Sequence, residues 1–313
     1  MNAGILVTGA AGFIGQALVR QLAAGDEPVF GLDIRAATQP VPGVRYEKAD
    51  IRDRALVGLV ARLKPRVVVH LASVVAAGGD AEQDYAIDVI GTGHVVEACL
   101  AAGVTRLVVT SSGAAYGYHA DNAQPLTETD PLRGNEDFPY SRHKRLVENL
   151  LAEARAAHPA LEQVVFRPCT VLGPGVSNQI TAIFERPVVI GLAGSAAPFS
   201  LVSETDVVAA LARAAAPASL PGIYNLAGDG TLSLAEIAGR IGKPYLPLPP
   251  ALLRGVLWFA NRLKLTPLGP AQVNFLQYRP VLANDRLKTG FGYVPALSAA
   301  EAFDRYWRAR PAS

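Results

Sequence analysis

Cysteine is scarce. Cys99 and Cys169 are the two in 313 residues; both lie in apolar stretches and form no C-x-x-C pair, so neither a disulfide framework nor a thiolate zinc site is suggested. An excess of one charge is also lacking. The 29 Lys and Arg against 27 Asp and Glu leave a formal +2, and the basic residues are scattered, so no nucleic-acid partner is expected. The five histidines, His70, His94, His119, His143 and His158, show no metal-ligand spacing, and no metal is expected. No apolar run reaches bilayer-spanning length, and the N-terminus enters the first strand without a basic leader and apolar signal core. These absences predict no membrane partner, no export and a reducing cytoplasmic setting. Internal repeats and low-complexity tracts are missing too.

What is present is a large apolar fraction, 50% of residues with 18% charged, in a chain long enough to bury a sizeable core. Short runs rich in Val, Leu and Ile (Ile5–Val7, Val29–Leu32, Val67–His70, Leu107–Thr110, Val164–Phe166) alternate with helical patterns such as Arg54–Leu63, Tyr85–Ala102 and Tyr140–Ala156. The alternation predicts an α/β fold, a Rossmann-type doubly wound parallel sheet whose strands are buried on both faces. A ligand crevice is expected at the carboxyl ends of the strands. After Pro168 glycine and proline become frequent and the alternation loosens. Residues 1–170, with a returning segment at about 203–226 (a helix at Ser203–Ala215, a strand at Gly222–Leu226), are read as the Rossmann domain. Residues 171–202 and 227–313 are read as a smaller substrate-binding lobe. Within it, Ala251–Leu265 is amphipathic, with Trp258 and Phe259; it is expected to pack on the lobe, the alternative being a membrane-surface or substrate-covering role.

Thr8-Gly9-Ala10-Ala11-Gly12-Phe13-Ile14-Gly15 follows the first strand and opens a helix. Glycines at such a strand-to-helix junction permit a tight turn, close approach to a pyrophosphate and close seating of the helix, while free N–H groups at the helix start face the anion. A plain turn could carry the same spacing. The second strand, however, ends at Asp33, roughly 20 residues on, where a ribose-binding acid belongs. Asp33 would accept from the adenosine ribose hydroxyls and repel a 2′-phosphate, which favours NAD; Arg35, close by, leaves NADP possible. Asp50-Ile51, His70 to Ser73 and Thr110-Ser111-Ser112 also stand at strand ends.

Tyr140 and Lys144 are four apart at the start of a helical stretch, so they share a face. Phenols ordinarily titrate near ~10, and an adjacent ammonium favours the anionic form. The pair is suited to exchanging a proton with a substrate hydroxyl. Ser112, at a strand end, would orient the substrate oxygen.

Together these motifs resemble the extended short-chain dehydrogenase/reductases, the NAD-dependent epimerase/dehydratases, over most of the chain. The resemblance implies a catalytic set of Ser112 (four before Tyr116-Gly117), Tyr140 and Lys144. For the cofactor it implies Gly9, Ala11, Gly12, Phe13, Ile14, Gly15, Asp33, Ile34, Arg35, Asp50, Ile51, Leu71, Ala72, Ser73, Thr110, Tyr140, Lys144 and Arg167, the last from Arg167-Pro168 near the nicotinamide end. It also implies a homodimer formed through the helices around Tyr85–Ala102 and Tyr140–Ala156. The departures lie on the substrate side. Thr170 stands where sugar-nucleotide epimerases commonly have Asn, and Phe199 or a neighbour where they carry an Arg for the diphosphate. Asp88 replaces the usual Asn, and Val75 stands where some epimerases have Lys. Arg279 could still supply a cation. Gly113-Ala114 stand where dehydratases place Asp-Glu, which disfavours dehydration; a hydrolase role for Ser112 lacks the Gly-x-Ser-x-Gly elbow.

The expected function is therefore NAD-dependent hydride transfer between nicotinamide and a secondary alcohol or ketone (a sugar, hydroxy acid or sterol-like ring). A UDP-sugar 4-epimerase with tightly bound NAD is one alternative, and a noncatalytic NAD-sensing protein another.

Overall fold

The computed structural model describes residues 3–74, 80–176, 178, 180–196, 198–266, 269 and 272–310. Eleven strands are formed among them: β1 (Ile5–Thr8), β2 (Val29–Asp33), β3 (Arg45–Lys48), β4 (Val67–His70), β5 (Arg106–Thr110), β6 (Glu162–Pro168), β7 (Thr170–Leu172), β8 (Val189–Leu192), β9 (Leu201–Ser203), β10 (Gly222–Leu226) and β11 (Tyr245–Leu248). Seven of them make one sheet in the order β10-β6-β5-β4-β1-β2-β3, parallel throughout. The direction of winding reverses between β1 and β4, where Thr8 lies opposite His70, so the carboxyl ends of these two strands open the crevice that such a switch point creates.

Connections between the strands supply α1 (Phe13–Leu22), α2 (Ala55–Leu63), α3 (Ala81–Tyr85), α4 (Gly91–Ala102), α5 (Pro139–Ala157), α6 (Thr181–Glu185) and α7 (Glu204–Ala215). Successive strand residues point to opposite faces, and the chain uses both. Ile5, Val7, Val67, Val69 and Val108 pack beneath Leu18 and Val19 of α1 and Val207, Val208 and Leu211 of α7. Leu6, Val68, Leu107 and Val109 pack beneath Leu56, Leu59 and Val60 of α2, Val95 and Val96 of α4, and Val147 and Leu151 of α5. Burying a side chain such as Leu6 stabilises the fold by about 1.5–3 kcal/mol, which is why these strands tolerate no polar interruption.

Residues 81–102 form one continuous helical run, because a π turn over Ala86–Ile90 joins α3 to α4. At 22 residues and a mean hydropathy of 1.2 this run is long and apolar enough to cross a membrane, contrary to the sequence expectation that none is. Its Val95, Val96, Ala98 and Cys99 are committed to the core beside the sheet.

The rest of the chain adds α8 (Leu234–Arg240), α9 (Pro250–Arg262), α10 (Gln272–Gln277), α11 (Asp285–Thr289) and α12 (Ala299–Arg308). A separate core joins Leu172, Phe184 and Phe199 to Leu234, Ile237, Phe303 and Tyr306, with Phe184 edge-on to Phe303 at 5.4 Å. Helices α8 and α12 each begin with a reciprocal capping box, Ser233 with Glu236 and Ser298 with Glu301. Helix α9 buries none of its residues fully; Leu253, Leu257 and Ala260 are half-buried along one face, and the other face is exposed.

Candidate active site

At the mouth of the crevice, Thr8 Oγ1 accepts from the Leu71 and Ala72 N–H groups at 3.3 and 3.4 Å, which draws the turns after β1 and β4 together. Their closeness requires glycine. Gly9 has a φ of 71°, and a Cβ there would lie 2.7 Å from the Ala72 nitrogen; one on Gly15 would lie 2.1 Å from the Gly9 oxygen. Helix α1 starts after Gly12 with no side-chain cap, so the N–H groups of its first turn, from Phe13, Ile14 and Gly15, remain for an anion. Ala11 is fixed by its N–H donating to Asp33 Oδ2 at 3.0 Å. The other Asp33 oxygen accepts from the Arg35 N–H at 3.0 Å, and the Arg35 guanidinium folds to 3.6 Å of it. A backbone cradle beside a fixed carboxylate fits a dinucleotide: pyrophosphate over the glycines, ribose at Asp33, with the exposed Ile34 next to it. Asp50 is clasped by Arg52, whose guanidinium holds the carboxyl below its usual range, and Ile51 is buried against Gly91.

Beyond Thr110 at the end of β5, two adjacent serines face opposite ways. Ser111 Oγ donates to the buried Glu148 carboxylate at 2.6 Å, whereas Ser112 is half-buried, and its Oγ accepts from the Ala114 N–H at 3.1 Å. Ser112 thereby keeps its own proton to donate. The 3-10 turn it opens, Gly113–Tyr116, is tied to the start of α5 because Ser141 Oγ donates to the Ala114 carbonyl at 2.6 Å. Tyr140 precedes Ser141, so this bond brings the first turn of α5 beside Ser112's turn. One helical turn further on, the Lys144 ammonium lies 5.5 Å from the centre of the Tyr140 ring.

Lys144 is held from behind. Its Nζ donates to Ser73 Oγ at 2.6 Å, and Ser73 Oγ donates to Asp88 Oδ1 at 2.7 Å, an oxygen that also accepts from the Val74 N–H. Asp88 is buried in the π turn, and its second oxygen faces His143 Nδ1 at 3.9 Å, neither atom having a hydrogen-bond partner among the described residues. The sequence marks Asp88 as a departure from the family pattern, but it carries no signal that this carboxylate anchors Lys144 through Ser73. His70 bridges Thr8 and Thr92 with its two ring nitrogens; burial draws its pKa down to about 4, Lys144 acting in the same sense and Asp88 against it. It is a neutral tie between β1, β4 and α4.

Arg167 departs from its expected cofactor role. Its Nε and Nη2 donate to the buried Glu148, its Nη1 donates to the Tyr116 hydroxyl and the Glu128 carbonyl, and its guanidinium lies 4.9 Å from the Tyr116 ring centre. With every guanidinium nitrogen engaged inside the protein, Arg167 joins β6 to α5 instead of facing a ligand.

The substrate side brings distant segments together. Phe199 is buried, and the Arg279 guanidinium stacks on its ring at 4.1 Å. A cation is therefore brought to the Phe199 position, where the family resemblance leads one to expect an Arg. Arg279 Nε has no hydrogen-bond partner among the described residues. Burial raises the Tyr118 phenol to about 12, Arg279 opposing the rise and Tyr140 adding to it. Phe275 of α10 stacks on Phe138 at 4.1 Å and meets Tyr118 at 4.9 Å, forming an aromatic wall beside Tyr140. Thr170 begins β7; Val75 lies outside the described residues.

Residues 5–227 match the model of the NAD dependent epimerase/dehydratase family. A UDP-glucose 4-epimerase of Mycolicibacterium smegmatis is 35% identical over 201 residues, which is 59% of this chain and 63% of that protein's length. A 2-alkyl-3-oxoalkanoate reductase of Stenotrophomonas maltophilia is 32% identical over 186 residues, 58% of this chain and 55% of its own. The UDP-glucose 4-epimerase of Thermus thermophilus, solved with NAD, superposes with a TM-score of 0.75 at 25% identity, covering 97% of this chain and 98% of that one. A glycine cradle under a parallel sheet, a seven-strand order of the Rossmann type and a family match over more than half its length agree: the chain belongs to the NAD dependent epimerase/dehydratase family, as an oxidoreductase or epimerase of the short-chain dehydrogenase/reductase type.

Proposed function

We propose that the protein is an NAD-dependent oxidoreductase interconverting a secondary alcohol and its ketone, with Tyr140 as the acid/base, Lys144 supporting it and Ser112 orienting the substrate oxygen. The observation that carries this reading is the Lys144 ammonium, tethered by Ser73 and held 5.5 Å from the Tyr140 ring. Bound NAD supplies the hydride acceptor or donor. Tyr140 takes the hydroxyl proton during oxidation and returns it during reduction. Ser112, its Oγ already accepting from Ala114, donates to the same oxygen and fixes its direction. Arg35 folded onto Asp33 supports NAD over NADP. Residues 1–170 with about 203–226 hold the cofactor, and 171–202 with 227–313 take the substrate. The aromatic wall of Tyr118, Phe138 and Phe275 favours a ring or apolar face on that substrate. Exposed Tyr85, Ile90 and Leu100 on the 81–102 run support a homodimer through that helix and α5.

A specific observation favours a second reading, a UDP-sugar 4-epimerase: Arg279, stacked on Phe199 and without an Nε partner among the described residues, could meet a substrate diphosphate. Purified protein with NAD, tested against sugars, hydroxy acids, sterols and UDP-sugars, separates the two. Accumulating reduced nicotinamide supports net oxidation, whereas interconversion of a UDP-sugar without it supports the epimerase. Tyr140→Phe should lower turnover by about 10²–10⁴-fold while NAD binding persists. Unchanged turnover would remove Tyr140 from the mechanism, and NAD binding with no turnover of any substrate would return the noncatalytic reading.

A further inference from the structure

Helix α9 presents an apolar stripe that nothing among the described residues covers. Leu252, Val256, Phe259 and the C-cap Leu263 recur at i, i+4, i+7 and i+11, so they lie along one side of the helix. Together with Trp258 they are exposed by 52–59%, and Leu265 just beyond is more exposed still. The opposite side is tethered: Arg254 Nη2 donates to Asn274 and Gln277 of α10 at 2.9 and 3.3 Å. The orientation of the stripe is therefore set by the fold.

The chain segment that carries the stripe has charge of one sign. Residues 237–284 contain no Asp or Glu, although the whole chain has 27. Of the cations in this stretch, Arg240 pairs with Asp304, Lys243 donates to the Phe184 and Glu185 carbonyls, Arg254 holds α10 and Arg279 stacks on Phe199. Arg262 and Lys264 remain exposed at the end of α9, beside Phe259 and Leu263, with no ion pair among the described residues. An isologous contact between the α9 regions of two copies would offer these cations no carboxylate from residues 237–284 of the second copy. A surface that is apolar within and anionic at its rim matches both properties.

We propose that α9 docks on an anionic lipid surface, its Leu252–Val256–Phe259–Leu263 stripe entering the interface and Arg262 and Lys264 meeting the headgroups. Docking orients the molecule with α10 just above the surface, and α10 carries Phe275 of the aromatic wall beside Tyr140.

Flotation of the full chain with vesicles of phosphatidylcholine alone, or with added phosphatidylglycerol, tests this directly. The expected result is flotation with phosphatidylglycerol vesicles that weakens with salt, and about a tenfold or greater loss of binding in R262E/K264E. Phe259→Ser should also weaken binding, with NAD affinity and melting temperature unchanged. Three results would overturn the proposal: no flotation of the unaltered chain at low salt, flotation indifferent to both variants, or sedimentation as a dimer that Phe259→Ser dissociates without any vesicle binding.

Discussion

Helices α2 and α9 carry the same kind of apolar stripe, yet α2 buries Leu56, Leu59, Val60 and Leu63 against the sheet while α9 buries none of its residues. The difference lies in what the neighbouring backbone demands. A parallel sheet exposes two apolar faces, and every helix crossing it finds a partner with alternating Val and Leu already in place. After Leu226 the remaining strand, β11, pairs only with the short β8, and the aromatic core of that region is filled by α8 and α12. Helix α9 is left with a polar clasp to α10 and an outward stripe.

Paired truncations sharpen this contrast most. Leu6→Ala should cost about 2–5 kcal/mol, because its cavity forms in a closed layer, whereas Phe259→Ala should change stability by no more than about 0.5 kcal/mol. Urea unfolding of both variants measures it; comparable losses would mean that α9 is covered after all. Next in size is an acid effect in the sheet half. His70 has its folded pKa held near 4, below the ordinary 6.5, so between these values the unfolded chain binds a proton that the folded one refuses. Stability conferred by the neutral ring is complete above pH 6.5 and declines as pH falls toward 4, by roughly 3 kcal/mol. Melting curves of the protein and of His70→Gln over that range should converge toward acid pH, and parallel curves would contradict it. Smaller is the effect of Asp88→Ala, which removes the acceptor of Ser73 and loosens Lys144. A fall in kcat of up to about a hundredfold is expected, while Asp88→Asn, which keeps an oxygen for Ser73, should restore most of it. Steady-state rates check both, and an Asp88→Ala enzyme at full speed would show that Lys144 does not depend on the chain through Ser73.

How much could be read beforehand follows the same division. Gly9, Gly12, Gly15 and Asp33 are legible because a strand, a turn and a helix start are consecutive in sequence, and Tyr140 and Lys144 because one helical turn joins them. Arg167 is misleading: its family position suggests a cofactor contact, but the burial of Glu148 on α5, nineteen positions away, claims its guanidinium. Arg279 stacking on Phe199 joins residues eighty positions apart, which no local period encodes. The amphipathic pattern of 251–265 is read correctly as a helix, but periodicity reports that a face is apolar and not what will cover it.

The arrival of Arg279 on Phe199 has a consequence for descent. The stretch matched to the family ends at residue 227, before α9, α10 and Arg279. In the proposed site Tyr118, Phe138 and Phe199 come from that stretch, and Phe275 and Arg279 from beyond it. On that proposal, two kin that keep every residue of the glycine cradle and the Tyr140 helix would still part company in diet by exchanging what the last third of the chain lays against Phe138 and Phe199.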